Sequence, residues 1–369
     1  MGLFLRLGTT AFGGPAAHIA LMEDEVVRRR SWLTREQFLD YVGATNLIPG
    51  PNSTELAIHI GHLRAGWPGL IVAGVCFIVP ASIIVWALAW AYVAYGALPQ
   101  VAGVLYGVKP VVLAVVGQAL WGLGRTAIRT SGLAIVAAVA VAASAFGVHE
   151  LAILLLAGLT AGAGAAMARG GVAAAWTAAV TSATGSAAGA ATAAVVPVSL
   201  NAVFWVFAKA GAVLYGSGYV LLAFLRADLV QRLGWLTEAQ LIDAIAIGQV
   251  TPGPVFTTAT FIGYVVAGTP GAIVATVGIF LPAFVFVAVS GPLVPRLRRS
   301  AFAGRVLDGV NVASLALMAV VSWHLGRTAL VDPVSIGLCV GSLVALVRYR
   351  VNSTWLIVVG ALAGVLAET

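Results

Sequence analysis

Two Pro-Gly-Pro triplets, Pro49–Pro51 and Pro252–Pro254, are the strongest candidates for chemistry in this sequence. A proline on each side of a glycine removes backbone donors and prevents a helix from continuing. Each triplet precedes a stretch that favours a helix, beginning at Asn52 and at Val255. The free N–H groups and the dipole at such a helix start suit an anion. We interpret both triplets as anion-binding helix breaks, and the alternative that they are structural kinks stays open.

The triplets belong to an internal duplication. A shift of 203 residues aligns Trp32–Thr34 with Trp235–Thr237, and nine of the 23 positions from 32 to 54 are identical. Thr34 with Gln37, and their counterparts Thr237 and Gln240, fit capping boxes at helix starts. We divide the chain into a first repeat, an Ala/Gly/Thr-rich linker and a second repeat, over residues 1–168, 169–199 and 200–369.

Three cations lie within apolar segments, namely Arg6, Lys109 and Lys209. A charged side chain inside a membrane span costs roughly 3 kcal/mol on insertion scales, so it usually faces a cavity or a partner. Arg6 and Lys209 occupy the same repeat position, and glycine-rich turns containing Gly13–Gly14 and Gly216 follow them. The duplication favours a role in binding an anion. For Arg6, snorkelling to the interface is the alternative.

Glu55 is the only acid close to a Pro-Gly-Pro triplet, and Thr258 replaces it in the second repeat. Its carboxyl can take up a proton during transport, or it can neutralise Arg6 or Lys109, and the sequence leaves both roles open. No set of histidines, cysteines and carboxylates has zinc spacing, and no flavin or nicotinamide fingerprint is present. We therefore expect no metal, no cofactor and no enzymatic activity.

The composition predicts an integral membrane protein, since 61% of residues are hydrophobic and only 9% are charged. No formal charge occurs in the 44 residues between Arg64 and Lys109, whereas about 20 apolar residues span a bilayer. A net charge of +7 reflects topology better than nucleic-acid binding. We predict ten crossings, near 2–21, 68–94, 101–124, 131–147, 150–168, 200–223, 271–293, 304–326, 333–347 and 352–367.

Charge asymmetry predicts that the repeats are inverted. In the first repeat, arginines cluster before the Pro-Gly-Pro triplet, at Arg28–Arg30, whereas in the second repeat they cluster in a later loop, at Arg296–Arg299. Cytoplasmic loops are enriched in such residues, so equivalent loops lie on opposite sides. Five crossings per repeat, an odd number, give the same answer if 37–62 and 240–265 are re-entrant hairpins. The expected fold is an all-α polytopic membrane protein with two inverted repeats and a re-entrant Pro-Gly-Pro break in each.

Several paired motifs resemble those of one known family. They are Phe12–Pro15 with His18, Trp32–Thr34, Asn46–Pro51, Lys209 with Gly211, and Tyr215–Tyr219. The set covers both repeats and is similar to the chromate transporter family, from which Ser217 departs by replacing a glycine. The resemblance implies a bacterial inner-membrane protein that exports chromate, with sulfate as a close analogue.

Inverted repeats with broken helices bind substrate near the membrane midplane, so we expect the anion between the triplets, with Arg6 and Lys209 beside it. The expected partners are an oxyanion and the lipid bilayer, without nucleic acid, and a homodimer is left open. The predicted substrate-binding residues are Arg6, Gly13, Gly14, Asn46, Pro49, Gly50, Pro51, Asn52, Ser53, Thr54, Lys109, Lys209, Gly216, Gln249, Pro252, Gly253, Pro254 and Thr257, with Glu55 for proton coupling.

Two other functions compete with a secondary transporter. A passive anion channel is the nearer alternative, and the sequence does not exclude it. A membrane-embedded phosphatase would need a cluster such as Ser53, Glu55 and Arg64, but the second repeat lacks the acid and the serine. The sequence therefore favours the transporter.

Overall fold

The computed structural model describes residues 1–12, 14–96, 98–163, 197–214, 221–290 and 300–368. All regular secondary structure in these ranges is helical. Gly13, Gly216, Arg296–Arg299 and the predicted linker up to residue 196 lie outside the described residues.

The helices follow the same order in the two repeats. Those of the first repeat are α1 (Gly2–Thr10), α2 (Gly14–Glu23, extended by a π-helical turn Asp24–Arg29), α3 (Arg35–Thr45), α4 (Asn52–Tyr95), α5 (Pro99–Ala127), α6 (Ser131–Ala145) and α7 (Glu150–Ala163). Those of the second are α8 (Leu200–Val213), α9 (Leu221–Leu225, extended by a π-helical turn Arg226–Arg232), α10 (Glu238–Val250), α11 (Thr258–Ser290, preceded by a 3-10 turn Val255–Thr257), α12 (Ala301–Ala329), α13 (Pro333–Arg348) and α14 (Ser353–Glu368).

Both predicted capping boxes are confirmed. The Gln37 backbone N–H donates to Thr34 Oγ1, and the Thr34 N–H donates to Gln37 Oε1 at 3.0 Å. Thr237 and Gln240 make the same reciprocal bonds at the start of α10. These caps satisfy backbone donors that a helix start leaves free, and they fix where the helix before each Pro-Gly-Pro triplet begins.

The long helices α4 and α11 each fold back on themselves. A straight helix of 44 residues would measure about 66 Å, twice the hydrocarbon thickness. Instead, Gly66 adopts a φ of +61° and turns the chain, and Gly268 does the same in α11 with a φ of +64°. Gly61 then packs against Gly69 and Ala73, so closely that a Cβ at Gly61 would overlap both. Each long helix is therefore two legs, 52–64 and 67–95 in α4, and 258–266 and 269–290 in α11.

Residues near the N-terminus also form a hairpin. Arg6 on α1 forms an ion pair with Glu25, and the Ala11 carbonyl accepts a hydrogen bond from His18, so the chain turns back after α1 and brings Glu25 near Arg6. The predicted crossing near 2–21 is therefore not one helix: α1 has only 9 residues, about 14 Å, and the chain turns before α2 begins at Gly14. The predicted crossing near 200–223 is likewise interrupted, because α8 ends at Val213.

A second hairpin surrounds each Pro-Gly-Pro triplet. In the first repeat, α3 and the first leg of α4 lie side by side: the rings of Tyr41 and His59 are 5.5 Å apart, and Asn52 Nδ2 donates to Asn46 Oδ1 at 2.7 Å. The triplet Pro49–Pro51 forms the tip between these two helices. The order of the contacts shows that the two helices run in opposite directions.

The two repeats contact each other along the second legs of α4 and α11. Near one end Phe284 packs against Gly74, and near the other end Trp86 Nε1 donates to Thr269 Oγ1 at 3.1 Å. Residues early in one leg thus meet residues late in the other. These equivalent helices are antiparallel.

The last helix of each repeat packs on the other repeat. Gly107 of α5 lies against Gly360 and Gly364 of α14, with no room for a side chain. The equivalent Gly309 of α12 lies in the same way against Ala157 of α7. Small residues let such helix backbones approach closely in a membrane. The repeats are interlocked by this reciprocal exchange.

Within the described residues, four helices are long and apolar enough to cross a membrane: Asn52–Tyr95, Val101–Ala127, Val255–Ser290 and Phe302–Ala329. Five shorter apolar helices accompany them in the same part of the chain. Many large apolar side chains on these helices are exposed, among them Ile83, Trp121, Leu155 and Trp323. An exposed apolar surface of this extent belongs in lipid.

Gly107→Ala is expected to destabilise the protein, because its new methyl group would overlap the Gly360 carbonyl oxygen. Overpacking of this kind costs about 1–3 kcal/mol. Gly117→Ala is the matched control on the same helix, because nothing lies within 4 Å of its Cβ position. Thermal unfolding in detergent should show a lower midpoint for Gly107→Ala only. Equal midpoints for both variants would contradict the close packing of α5 on α14.

Candidate functional site

Two backbone hydrogen bonds connect the hairpin tips of the two repeats. The Gly50 N–H donates to the Leu214 carbonyl at 2.7 Å, and the Gly253 N–H donates to the Ala11 carbonyl at 2.9 Å. Gly50 and Gly253 are equivalent residues, and so are Ala11 and Leu214, at the same shift of 203. Each Pro-Gly-Pro tip therefore bonds to the chain at the end of the first helix of the other repeat. The four segments meet around one pseudo-twofold axis.

Both central glycines have backbone conformations that other residues rarely adopt. The φ angles are +137° at Gly50 and +88° at Gly253. Space is also lacking: a Cβ at Gly50 would overlap Glu55 Oε1, and one at Gly253 would lie 2.6 Å from the Ala81 Cβ. The tips can be built only with glycine between the two prolines.

His18 holds three segments of the site together. Its Nε2 lies 3.0 Å from the Ala11 carbonyl, and its Nδ1 lies 3.3 Å from Ser53 Oγ. Because a carbonyl only accepts, Nε2 carries the hydrogen and Nδ1 accepts from the serine hydroxyl. His18 is fully buried. The sequence offered one signal for this role, the position of His18 three residues after the glycine-rich turn.

The first-repeat tip carries buried polar atoms that lack hydrogen-bond partners in the described part of the chain. They are Asn52 Oδ1, Thr54 Oγ1 and both carboxyl oxygens of Glu55. In the second repeat, Thr257 Oγ1 donates to the Pro254 carbonyl at 2.8 Å, so its hydroxyl is satisfied locally. A buried polar group without a partner costs about 1–3 kcal/mol, which a bound solute, water or proton can recover. The first-repeat tip is the more polar and the less satisfied half.

The three cations predicted to bind substrate each contact a carboxylate. Arg6 pairs with Glu25, and the equivalent Lys209 pairs with Asp228. Sequence reasoning did not identify these partners, although both carboxylates occupy the same repeat position and a search at that shift could have found them. The Arg6 side chain is 51% exposed, whereas that of Glu25 is only 7% exposed.

Glu25 is surrounded by positive charge. Arg6, Arg29 and Arg30 all lie within ion-pair distance of its carboxylate. The hydrogen bond from Arg6 holds the pKa of Glu25 below its usual range, against the opposing effect of burial, and Arg30 and Arg29 act in the same direction. The carboxylate stays ionised and anchors the base of the first hairpin.

Lys109 belongs to a separate cluster between the repeats. Its Nζ lies 3.0 Å from Asp243 Oδ1 on α10, and Tyr92 OH donates to Asp243 Oδ2 at 3.0 Å. The cluster joins α4 and α5 of the first repeat to α10 of the second. A buried pair of this kind fixes the relative position of the helices that carry it.

The other predicted residues occupy the tips or their flanks. Gly14 begins α2 and has a φ of +74°. Asn46 directly follows α3, and the equivalent Gln249 is the last residue but one of α10. Pro49, Gly50, Pro51 and Pro252, Gly253, Pro254 lie between helices, and Asn52, Ser53, Thr54 and Thr257 begin the helical stretches that follow. Among the described residues, no group of three or more histidines, cysteines and carboxylates is placed to hold a metal.

Comparison with known proteins identifies the family of this chain. A family model described as Chromate transporter matches the chain twice, over residues 1–165 and 201–365. The chain belongs to the chromate transporter family. No solved structure gives a significant match.

Curated relatives extend over nearly the whole chain. The chromate transport protein of Cupriavidus metallidurans is 32% identical, over 97% of this chain and 90% of the relative. The probable chromate transport protein of Synechococcus elongatus is 30% identical, over 89% and 84%. The chromate transport protein of Pseudomonas aeruginosa is also 30% identical, over 88% and 80%.

Gly253→Ala is expected to abolish most chromate flux through this transporter, because the new methyl group would strain the backbone and push the tip away from Ala81. Gly268→Ala is the matched control: its φ of +64° imposes a similar backbone strain of about 1–2 kcal/mol, but its Cβ would have free space, with only the Pro270 ring 3.9 Å away. Flux should be measured in proteoliposomes that contain equal amounts of folded protein. Equal loss in both variants would show that the tip has no special role.

Proposed function

We propose that this chain is a secondary transporter that exports chromate and similar tetrahedral dianions across the bacterial inner membrane. The observation that carries the proposal is the reciprocal pair of bonds from Gly50 to Leu214 and from Gly253 to Ala11. These bonds gather two Pro-Gly-Pro tips and the ends of two first helices at one place between the repeats. Transporters built from inverted repeats bind their substrates at such a place.

The proposed architecture is a pair of inverted repeats with re-entrant hairpins. Its support is the antiparallel packing of equivalent legs, with Phe284 against Gly74 and Trp86 bonded to Thr269. The count of five crossings per repeat no longer supports inversion, because the first crossing is a hairpin. With Arg28–Arg30 on the cytoplasmic side, the first-repeat hairpins open toward the cytoplasm and those of the second repeat open toward the opposite side.

In this proposal the backbone makes the first contacts with the anion. The starts of α2 and α4 and the turn at Val255 present N–H groups that have no partner inside their own helices. The hydroxyls of Ser53, Thr54 and Thr257 lie in the same segments and can donate as well. Such a site suits a transported dianion, because neutral hydrogen-bond donors stabilise the anion and still allow it to be released.

Arg6, Lys109 and Lys209 supply the charge that offsets the dianion. Each is paired with a carboxylate, so binding requires that the anion competes with that carboxylate or shares the cation with it. This competition keeps affinity moderate, which lets a carrier release its substrate. Glu55 is buried behind the Gly50 tip, and neither of its carboxyl oxygens has a hydrogen-bond partner among the described residues, so it is the proposed proton-coupling group.

Flux in proteoliposomes tests the function directly. We expect saturable transport of radiolabelled sulfate and of chromate, and much slower transport of phosphate and chloride. Accumulation should build only when a proton gradient is imposed, which distinguishes a carrier from a passive channel. Transport that ignores the proton gradient and does not saturate would support the channel, and no chromate or sulfate flux would refute the proposal.

The role of Lys209 can be separated from that of its partner. Lys209→Ala should abolish flux, since a dianion left without its counter-charge at membrane depth is very costly. The variant also leaves Asp228 with Arg232 as its remaining cation. The double variant Lys209→Ala/Asp228→Asn removes that imbalance and should remain inactive, because the anion still lacks the cation. Recovery of flux in the double variant would reduce Lys209 to a structural partner of Asp228.

A further inference from the structure

Three titratable side chains lie along one face of the first leg of α4. Glu55, His59 and His62 follow each other at spacings of four and three residues, which places them on the same side of a helix. Neighbouring Cβ atoms at these spacings are about 5–6 Å apart, and the line covers about 10 Å along the axis. Side chains of a helix lean toward its N-terminus, so His59 leans toward Glu55 and His62 toward His59.

Exposure increases in steps along this line. Glu55 is fully buried at the tip, His59 is 6% exposed, and His62 is half-buried. Both carboxyl oxygens of Glu55 and Nε2 of His59 lack hydrogen-bond partners among the described residues. Buried groups that can exchange protons are normally satisfied, so unpartnered atoms on successive groups indicate sites that a proton or a water occupies transiently.

Among the described residues, aromatic rings flank the line and the arginines lie at its outer end. Tyr41 on α3, with Asp40 beside it, faces His59, with the tyrosine ring 5.5 Å from the imidazole. The imidazole of His62 contacts Trp67 edge-on at 5.7 Å. The outer end meets the basic loop, where Arg64 lies over Trp32 at 4.8 Å and Arg30 contacts the same ring.

His18 is the other titratable group near the inner end, and it is already committed. It contacts Ser53 and the Ala11 carbonyl through its two ring nitrogens. Both ring nitrogens are therefore engaged, and a proton added at Nδ1 would require the Ser53 hydroxyl to reverse its hydrogen bond.

The second repeat has no equivalent line. Thr258 occupies the position of Glu55, and Tyr264 that of His62, because Gly263 is the counterpart of Gly61. No histidine or carboxylate occurs between Thr258 and Tyr264. Both repeats thus have the hairpin tip, but only the first repeat carries a carboxylate and two histidines along this helix face. A line of three such groups in a single repeat is not needed for the packing of this hairpin, because the other hairpin packs without it.

We propose that Glu55, His59 and His62 form a one-sided proton relay from the hairpin tip to the face that carries Arg28–Arg30. The carboxylic acid of Glu55 gives its proton to a ring nitrogen of His59, directly or through one water. The imidazolium releases the proton from its other nitrogen to His62 and then to solvent, and the reverse sequence reprotonates Glu55. After one proton has left, Glu55 is a carboxylate and each histidine is neutral in its other tautomer. A proton that Glu55 takes up at the hairpin tip, together with rotation of the imidazole rings, restores the starting state, so the only species consumed and released is the coupled proton.

The relay deepens the proposed function and rests on it, because it assigns the route of the coupled proton. His59→Gln removes the relay group and keeps a polar side chain of similar length. It is expected to lower proton-driven sulfate accumulation in proteoliposomes at least tenfold. Exchange of external for internal sulfate, which needs no net proton movement, should fall less than threefold. His149→Gln, at an exposed histidine between α6 and α7, is the control and should change neither rate.

His62→Gln is the second variant, because its half-buried site tolerates substitution better. It should lower proton-driven accumulation by about threefold without affecting exchange, since solvent can partly replace it. Full proton-driven accumulation in His59→Gln would overturn the relay. An equal loss of accumulation and exchange in both variants would also overturn it, because the histidines would then be structural. Absence of any sulfate or chromate flux in the unmodified protein would instead refute the proposed function.

Discussion

The structure depends on the reciprocal bonds between each Pro-Gly-Pro tip and the end of the first helix in the other repeat. A tip of this kind cannot exist alone in a membrane, because its backbone groups would have no partners in lipid. Here the Gly50 N–H finds the Leu214 carbonyl, and the Gly253 N–H finds the Ala11 carbonyl. Each repeat therefore completes the other at these tips.

The ion pairs follow the same symmetry, but the polar groups at the two hairpin tips do not. Arg6 with Glu25 and Lys209 with Asp228 are matched ion pairs at the bases of the first hairpins. At the tips the match fails: Thr257 satisfies its hydroxyl locally, whereas Thr54 and Glu55 do not. Under the proposed function, this asymmetry lets one set of residues contact the substrate and a different set exchange protons.

Much of this fold could be predicted from the sequence, because the helix starts and breaks have local chemical signals. The Thr34 and Thr237 caps and the prolines at the tips are read directly from residue types. The fold-back of α1 on α2 could not be predicted, because an apolar stretch of 20 residues looks the same whether it crosses or turns back. Asp243, the partner of Lys109, could not be predicted for a related reason: an ion pair between the two repeats leaves no mark on local sequence.

The exchange of terminal helices has a consequence for biosynthesis. When the first repeat leaves the ribosome, α14, which packs on α5 at Gly107, has not yet been made. Neither has α12, which packs on α7. Until then, the grooves on α5 and α7 that receive these helices face lipid. Their small residues bury little apolar area. The packing of α5 on α14 and of α7 on α12 can form only after the second repeat has been made, so the first repeat completes its own contacts late in synthesis.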